Sequence, residues 1–216
     1  MQPNGMIFWD WNGTLMDDVD FCVDCLNDLL AAYQYPQRYD LASYREVFGF
    51  PIEEYYRRVG FDFVRHPFPV LAATYMDIYN AGVAACPAAA QAARTLDTLR
   101  HAGWQQAVLS ASRKDYLIEQ VSARGLAGYF TELLGLQDIY GASKVQIGLD
   151  YLAKSGLDPA ACVMVGDTQH DAEVARALGA KCILCTCGHQ PRSRLEGVAD
   201  ALIDDLSALP AALAAL

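Results

Sequence analysis

Positive charge is scarce in this sequence. Over 216 residues, 16 lysines and arginines stand against 26 aspartates and glutamates, a formal net charge of −10. Nucleic acid and anionic membrane repel such a chain, so neither is expected as a partner, and an anionic ligand has to be met by local cations or a bound metal. Long hydrophobic runs are lacking as well. No apolar stretch reaches the roughly 20 residues that span a bilayer, and no charged-then-apolar leader precedes Met6-Ile7-Phe8-Trp9. A soluble cytoplasmic protein is the expectation. An even cysteine count is missing too: Cys22, Cys25, Cys86, Cys162, Cys182, Cys185 and Cys187 make seven, which in a chain without a leader points to reduced thiols. Cys22-x-x-Cys25 and the group Cys182, Cys185, Cys187 and His189 invite comparison with zinc ligands. Residues 181–186 read as a strand, however, which sends Cys182 to one face and Cys185 with Cys187 to the other, so small buried hydrophobes are expected instead. Internal repeats and low-complexity linkers are absent.

What is present is apolar material, 53% of the chain, enough for a full core. The run over residues 6–9 reads as a buried strand that delivers Asp10 to its carboxyl end. From Arg94 onward strands and helices alternate. A helix with Leu96 and Leu99 is expected to close at Gly103 and a strand over 104–109 to end in Ser110-Ala111-Ser112. Next come a third element from Ile118 through Val121 and a short strand near 130–134. Lys144 opens a helix that closes at Ser155-Gly156, and a strand over 162–165 meets Gly166-Asp167. A helix with Val174 and Leu178 ends at Gly179, followed by the strand at 181–186 and a last short strand and helix from Ala201. This alternation calls for an α/β fold with a doubly wound parallel sheet. Between Leu15 and Cys86 the pattern is helical but broken at Pro36, Pro51, Gly60, Pro67 and Pro69. That stretch is too long for a crossover. Residues 16–86 are therefore expected to form an inserted helical cap domain and residues 1–15 with 87–216 the core, hinged at 15–18 and 84–93. A monomer or homodimer is expected.

In a parallel sheet the carboxyl ends of the strands share one edge. Asp10 with Asn12 and Thr14, Ser110, Lys144, and Asp167 with Asp171 therefore converge there. Two carboxylates, Asp10 and Asp167, suit a hard cation such as Mg²⁺, which keeps waters and takes one or two protein carboxylates plus a substrate phosphate. Lys144 and the Ser110 hydroxyl suit phosphate oxygens, and the backbone amides after Asp10 add a cradle. Asp10 can then attack phosphorus to give an aspartyl-phosphate that water hydrolyses.

These segments resemble the haloacid dehalogenase superfamily over nearly the whole chain. Asp10-Trp11-Asn12-Gly13-Thr14-Leu15 is similar to its first signature, Asp-x-Asp-Gly-Thr-Leu or Val. Ser110 after Ala107-Val108-Leu109 is similar to the second, Lys144 to the third, and Gly166-Asp167-Thr168-Gln169-His170-Asp171 to the fourth, Gly-Asp-x-x-x-Asp. The place of the insertion resembles the helical cap of the phosphoglycolate phosphatase and β-phosphoglucomutase branch. By that resemblance the core is Rossmann-like and Asp10 is the nucleophile. Asp10, Asp167 and the Asn12 backbone carbonyl hold Mg²⁺, and Asp171 supports the metal site or Lys144. Ser110 and Lys144 would then bind the transferring phosphoryl group of a small phosphomonoester. Trp11 and Ala111, beside the nucleophile and Ser110, are counted as candidate substrate contacts. So are Arg45, Phe48 and Gly49, in the cap segment Tyr44-Arg45-Glu46-Val47-Phe48-Gly49-Phe50-Pro51, where aromatics, a cation and a turn could close over an organic phosphate. Arg57, Arg58 and Arg65 could add anion contacts.

One departure matters. The second Asp of the family's first signature, which protonates the leaving group, is Asn12 here, and positioned acid–base catalysis is typically worth about 10²–10⁴-fold. His170, Asp17 and Asp18 are the candidate replacements, although an exposed loop histidine and helix-capping acids explain them better. A competent phosphatase is expected, with a phosphometabolite-binding protein of weak turnover as the alternative. Carbon–halogen cleavage is disfavoured, because the dehalogenases of the family lack the Gly-Asp-x-x-x-Asp pair. Schiff-base chemistry of the phosphonoacetaldehyde hydrolase kind needs a cap lysine, and none lies between Met16 and Arg100.

Overall fold

A computed structural model describes residues 5–137 and 143–216. The strands are β1 (Met6–Trp9), β2 (Gln105–Arg113), β3 (Glu132–Leu136), β4 (Val163–Gly166), β5 (Lys181–Cys185) and β6 (Ala201–Ile203). They form one sheet in the order β3-β2-β1-β4-β5-β6, and every neighbouring pair is parallel. After β1 the chain makes four helices, α1 (Val19–Ala32), α2 (Leu41–Val47), α3 (Ile52–Val59) and α4 (Phe68–Gly82), before α5 (Ala92–His101) returns it to β2. Single helices then cover the later crossovers: α6 (Lys114–Ala123), α7 (Lys144–Ser155), α8 (Gln169–Leu178) and α9 (Arg192–Leu195), with α10 (Leu209–Ala215) after β6. The expected doubly wound α/β fold is therefore present. Among the described residues no helix is long and apolar enough to cross a membrane.

Alternation along the strands builds two cores. In β1, Ile7 and Trp9 face one layer and Met6 and Phe8 the other. Val163 and Val165 of β4 join the first layer while Met164 joins the second. Cys182 and Cys185 likewise fall on opposite faces. All seven cysteines are free and six are buried as expected, but Cys187 is exposed, because β5 ends before it.

Two further expectations shift. The second strand runs on to Arg113, with a register irregularity between Leu109 and Arg113 where it pairs with β3. Helix α5 ends at His101, with Ala102 as its last cap and Gly103 beyond it at φ 88°. Gly156 (φ 70°) and Gly179 (φ 75°) do stop α7 and α8 in the left-handed conformation that favours glycine.

The chain enters and leaves the helical insert through two segments that lie side by side. Met16 and Ala88 form an antiparallel bridge, with Asp17 N–H donating to Pro87 O at 3.0 Å and Ala89 N–H to Leu15 O at 2.9 Å. Strand order reverses between β1 and β4, the point in such sheets where the crevice outside the carboxyl ends receives ligands.

Candidate active site

Asp10 follows β1 and Asp167 follows β4, so the two acids leave adjacent strands at that reversal. The Asp10 N–H donates to Val165 O at 2.8 Å, fixing the first turn against the neighbouring strand. Lys144, in the first turn of α7, reaches across from the other side. Its Nζ donates to Asp10 Oδ1 at 2.7 Å and to Asp171 Oδ1 at 2.6 Å, and its side chain is only 2% exposed. Burial works against the ammonium, but the two carboxylates outweigh it and hold its pKa above the ordinary lysine value.

Asp171 lies in the first turn of α8 and is fully engaged. Besides Lys144, it accepts from Thr168 Oγ1 at 2.7 Å, Thr168 N at 3.0 Å and Asp167 N at 3.2 Å. Burial opposes its ionisation, yet these partners hold its carboxyl below the usual range. Asp167 is held by Thr14 Oγ1 at 2.8 Å and by the His189 backbone N–H at 2.6 Å. The pKa values of Asp10 and Asp167 are each pushed up to about 7, first by desolvation; Asp171 adds repulsion to both. Oxygen atoms of Asp10, Asp167 and Asp171 lie within 4.8 Å of one another, close enough to share a cation.

The turn after Asp10 needs its glycine. Gly13 has φ 69°, and a side-chain carbon there would stand 2.5 Å from the His189 ring. Gly188 is equally constrained, because a side chain would collide with the Asp167 carboxylate. Ser110 is buried near the end of β2, its Oγ accepting from Ser112 N at 3.0 Å.

Not every residue singled out from sequence joins this group. The Trp11 indole is fully buried and donates to Gln120 Oε1 at 2.8 Å, so it packs in the apolar layer and forms no wall of the site. Its position after Asp10 sends it to the sheet face that β1 alternation assigns it. Ala111 is exposed, since β2 continues past the site edge. Arg45 donates to Cys187 O, Phe48 stacks on the His189 ring at 4.6 Å, and Gly49 is buried between Arg58, Gln190 and Arg194. All three insert residues thus dock onto the loop after β5. Arg57 pairs with Glu53 on its own helix, and Arg65 lies over Tyr35. His170 stacks on Phe50 and approaches Glu173 at 3.3 Å, while Asp17 is exposed.

Two residues carry more than their sequence position suggested. Asp18 stands at the start of α1 but its side chain caps nothing. The carboxylate turns inward and accepts from Asn12 Nδ2 at 2.7 Å, Gly13 N at 2.8 Å and Tyr79 Oη at 2.8 Å. His189, considered only as a zinc ligand, is buried at the carboxyl end of β5, its Nδ1 2.9 Å from Tyr44 Oη. A polar residue following a predicted strand on the same sheet edge was the signal that could have placed it.

The family model for haloacid dehalogenase-like hydrolases matches residues 7–185. Pyrophosphatase PpaX of Bacillus velezensis is 29% identical over 91 residues, which cover 40% of this chain and 41% of that protein. Among solved structures, a predicted phosphatase from Clostridium acetobutylicum superimposes with a TM-score of 0.84 at 20% identity, over 100% of both chains. CbbY of Rhodobacter sphaeroides in complex with phosphate does so at 0.71 and 20% identity, over 96% of each.

Proposed function

Since this chain belongs to the haloacid dehalogenase-like hydrolases, we propose that it is a Mg²⁺-dependent cytoplasmic phosphatase. Its substrate is a small phosphomonoester of the phosphoglycolate type, cleaved through an aspartyl-phosphate on Asp10. The observation that carries this is the Lys144 bridge between Asp10 and Asp171, with Asp167 alongside, at the point where strand order reverses. A cation paired to the other oxygen of the nucleophile's carboxylate and locked from behind by a second carboxylate is suited to hold a phosphoryl group against that nucleophile.

The donor set fits a hard divalent cation. Asp10 and Asp167 offer carboxylate oxygens, and burial first, with repulsion from Asp171, pushes their pKa values up to about 7, a cost that a bound cation would offset. Asp10, Asp167 and the Asn12 carbonyl would hold Mg²⁺, which supplies charge neutralisation to the phosphoryl oxygens. Asp171, with both oxygens committed to Lys144, Thr168 and Asp167, is assigned to fixing the lysine.

Asp10 Oδ1 is taken by Lys144, which leaves Oδ2 for attack on phosphorus. Lys144 and Ser110 bind the equatorial oxygens as charge builds on them. The helical insert acts as a cap, with Arg45, Phe48 and Gly49 closing the site from water by their contacts to the loop after β5. One observation favours the second reading, a phosphometabolite-binding protein with weak turnover. Both amide hydrogens of Asn12 are engaged, by Asp18 and Tyr79, and an amide carries no transferable proton. Phosphate release from a panel of small phosphomonoesters with Mg²⁺ decides between them. Release is expected, and Asp10→Asn should lower it by on the order of 10³-fold or more. Micromolar binding of the same panel without release would select the binding protein.

A further inference from the structure

Cys22 and His189 come from the two sequence groups that invite comparison with zinc ligands, and the fold joins one member of each. Asp18 completes the set. Asp18 and Cys22 stand four residues apart at the start of α1, so one helix face presents both side chains, and the Cys22 N–H donates to Asp18 O at 2.8 Å. His189 arrives from the loop after β5. A carboxylate oxygen, a sulfur and a ring nitrogen from the three residues lie within 4.8 Å of one another, and all three residues are buried. The group shares no side chain with the set formed by Asp10, Asp167 and Asp171; only the His189 backbone N–H reaches Asp167.

The unused donor atoms point into this group. Among the described residues Asp18 Oδ1 accepts from the Gly13 N–H alone, at 2.8 Å, which leaves it a lone pair. That oxygen faces His189 Nε2 at 3.8 Å, too far for a hydrogen bond but near enough for both atoms to reach one ion at about 2.0–2.2 Å. Tyr44 Oη engages Nδ1 at 2.9 Å and Phe48 stacks on the ring, so Nε2 is the nitrogen turned to Asp18. Cys22 Sγ stands 3.7 Å from Asp18 Oδ2. One carboxylate and one thiolate match the two charges of a divalent ion, so the filled site is electrically neutral, as burial demands.

We propose that Asp18, Cys22 and His189 form a second metal site, one that takes Zn²⁺. Nitrogen and sulfur donors suit zinc rather than Mg²⁺, which binds through oxygen, and three protein ligands leave the fourth tetrahedral position to water. On binding, the ion replaces the Cys22 thiol proton, which passes to solvent. Asp18 and Cys22 belong to the insert and His189 to the core, so the bound ion staples one to the other. The site does not depend on the phosphatase reading, since its occupancy is measured without turnover.

Co²⁺ is the probe, because a cobalt–thiolate bond gives a charge-transfer band in the near ultraviolet that carboxylates alone do not. Added to the whole protein under saturating Mg²⁺, a single Co²⁺ per chain is expected to bind with that band, and one equivalent of Zn²⁺ should remove it. Cys22→Ser should abolish the band, and His189→Ala should raise the Kd for Co²⁺ by at least about tenfold. Cys187→Ser, at the exposed thiol, should change neither. Asp10→Asn should keep the band, which sets the ion apart from the Mg²⁺ carboxylates. A cooperative thermal melt without cobalt shows that each variant is folded. The site is overturned by the absence of a band in the unaltered protein, by a band that survives Cys22→Ser, or by its loss in folded Asp10→Asn. Should Cys22→Ser fail to fold, an unchanged Kd in His189→Ala overturns it equally.

Discussion

Asp10, half-buried, and Asp167, fully buried, share one difficulty: each carboxylate stands beside others, with Lys144 as the cation bonded to the group. Their raised pKa values set the sign of a stability effect. Between about pH 4 and pH 7 the metal-free folded chain keeps protons on these two groups that the unfolded chain has released, so they make stability fall as pH rises through that window. Mg²⁺ competes with those same protons. The gain in Tm from saturating Mg²⁺ should therefore be larger at pH 8 than at pH 5.5, and equal gains at both would take the pair out of the metal site. Asp10, Ser110, Lys144 and Asp167 were legible in the sequence because each closes an apolar run or opens a helix, and parallel strands send such ends to one edge. Asp18 stood out only as an acid that helix capping explained better, and His189 only as a zinc candidate. Acids before a helix look like caps, and only the packed structure turns Asp18 inward onto Asn12 and lays His189 across Gly13.

At the level of elements, the contact to watch is between the end of α2 and the loop leading into α9. Helix α2 ends with carbonyls that have no partner within the helix, and the core supplies donors for them. Arg194 Nη1 donates to Phe48 O at 2.6 Å and to Glu46 O at 3.3 Å, and Gln190 Nε2 to Phe48 O at 3.2 Å. Arg58 adds a bond from the insert's own α3 to Val47 O at 2.9 Å. Arg194→Ala should loosen this seam. Amide hydrogen exchange is expected to rise by about tenfold across α2 and the loop after it while β1 and β4 stay protected. Unchanged protection in α2 would show that the aromatic contacts alone hold the seam. Sequence punctuation located these helices well, since Pro36, Pro51, Gly60 and Pro67 do separate them. It could not show that their ends lean on a loop more than a hundred residues away, because the donors are ordinary surface residue types until packed.

For the molecule as a whole, net charge gives a further expectation. A chain at −10 repels a dianionic substrate at long range. Raising salt from about 10 mM to about 150 mM shortens that repulsion, so kcat/KM for a phosphomonoester should increase by roughly twofold to tenfold. A decrease would mean that the arginines near the seam, not the net charge, guide the approach. An apolar cluster that runs from Ile7 and Trp9 into Leu26, Tyr56 and Leu71 ties the insert to the sheet, yet the covalent attachment is slight. Leu15 to Asp17 and Pro87 to Ala89 lie bonded side by side, so cutting across that neck and rejoining its two ends would leave the strand order and Asp10, Asp167 and Asp171 in place. In evolutionary terms the neck is a graft point. On the proposed reading, a lineage could exchange the helical insert as a single module and keep Asp10, Lys144, Asp167 and Asp171 unaltered.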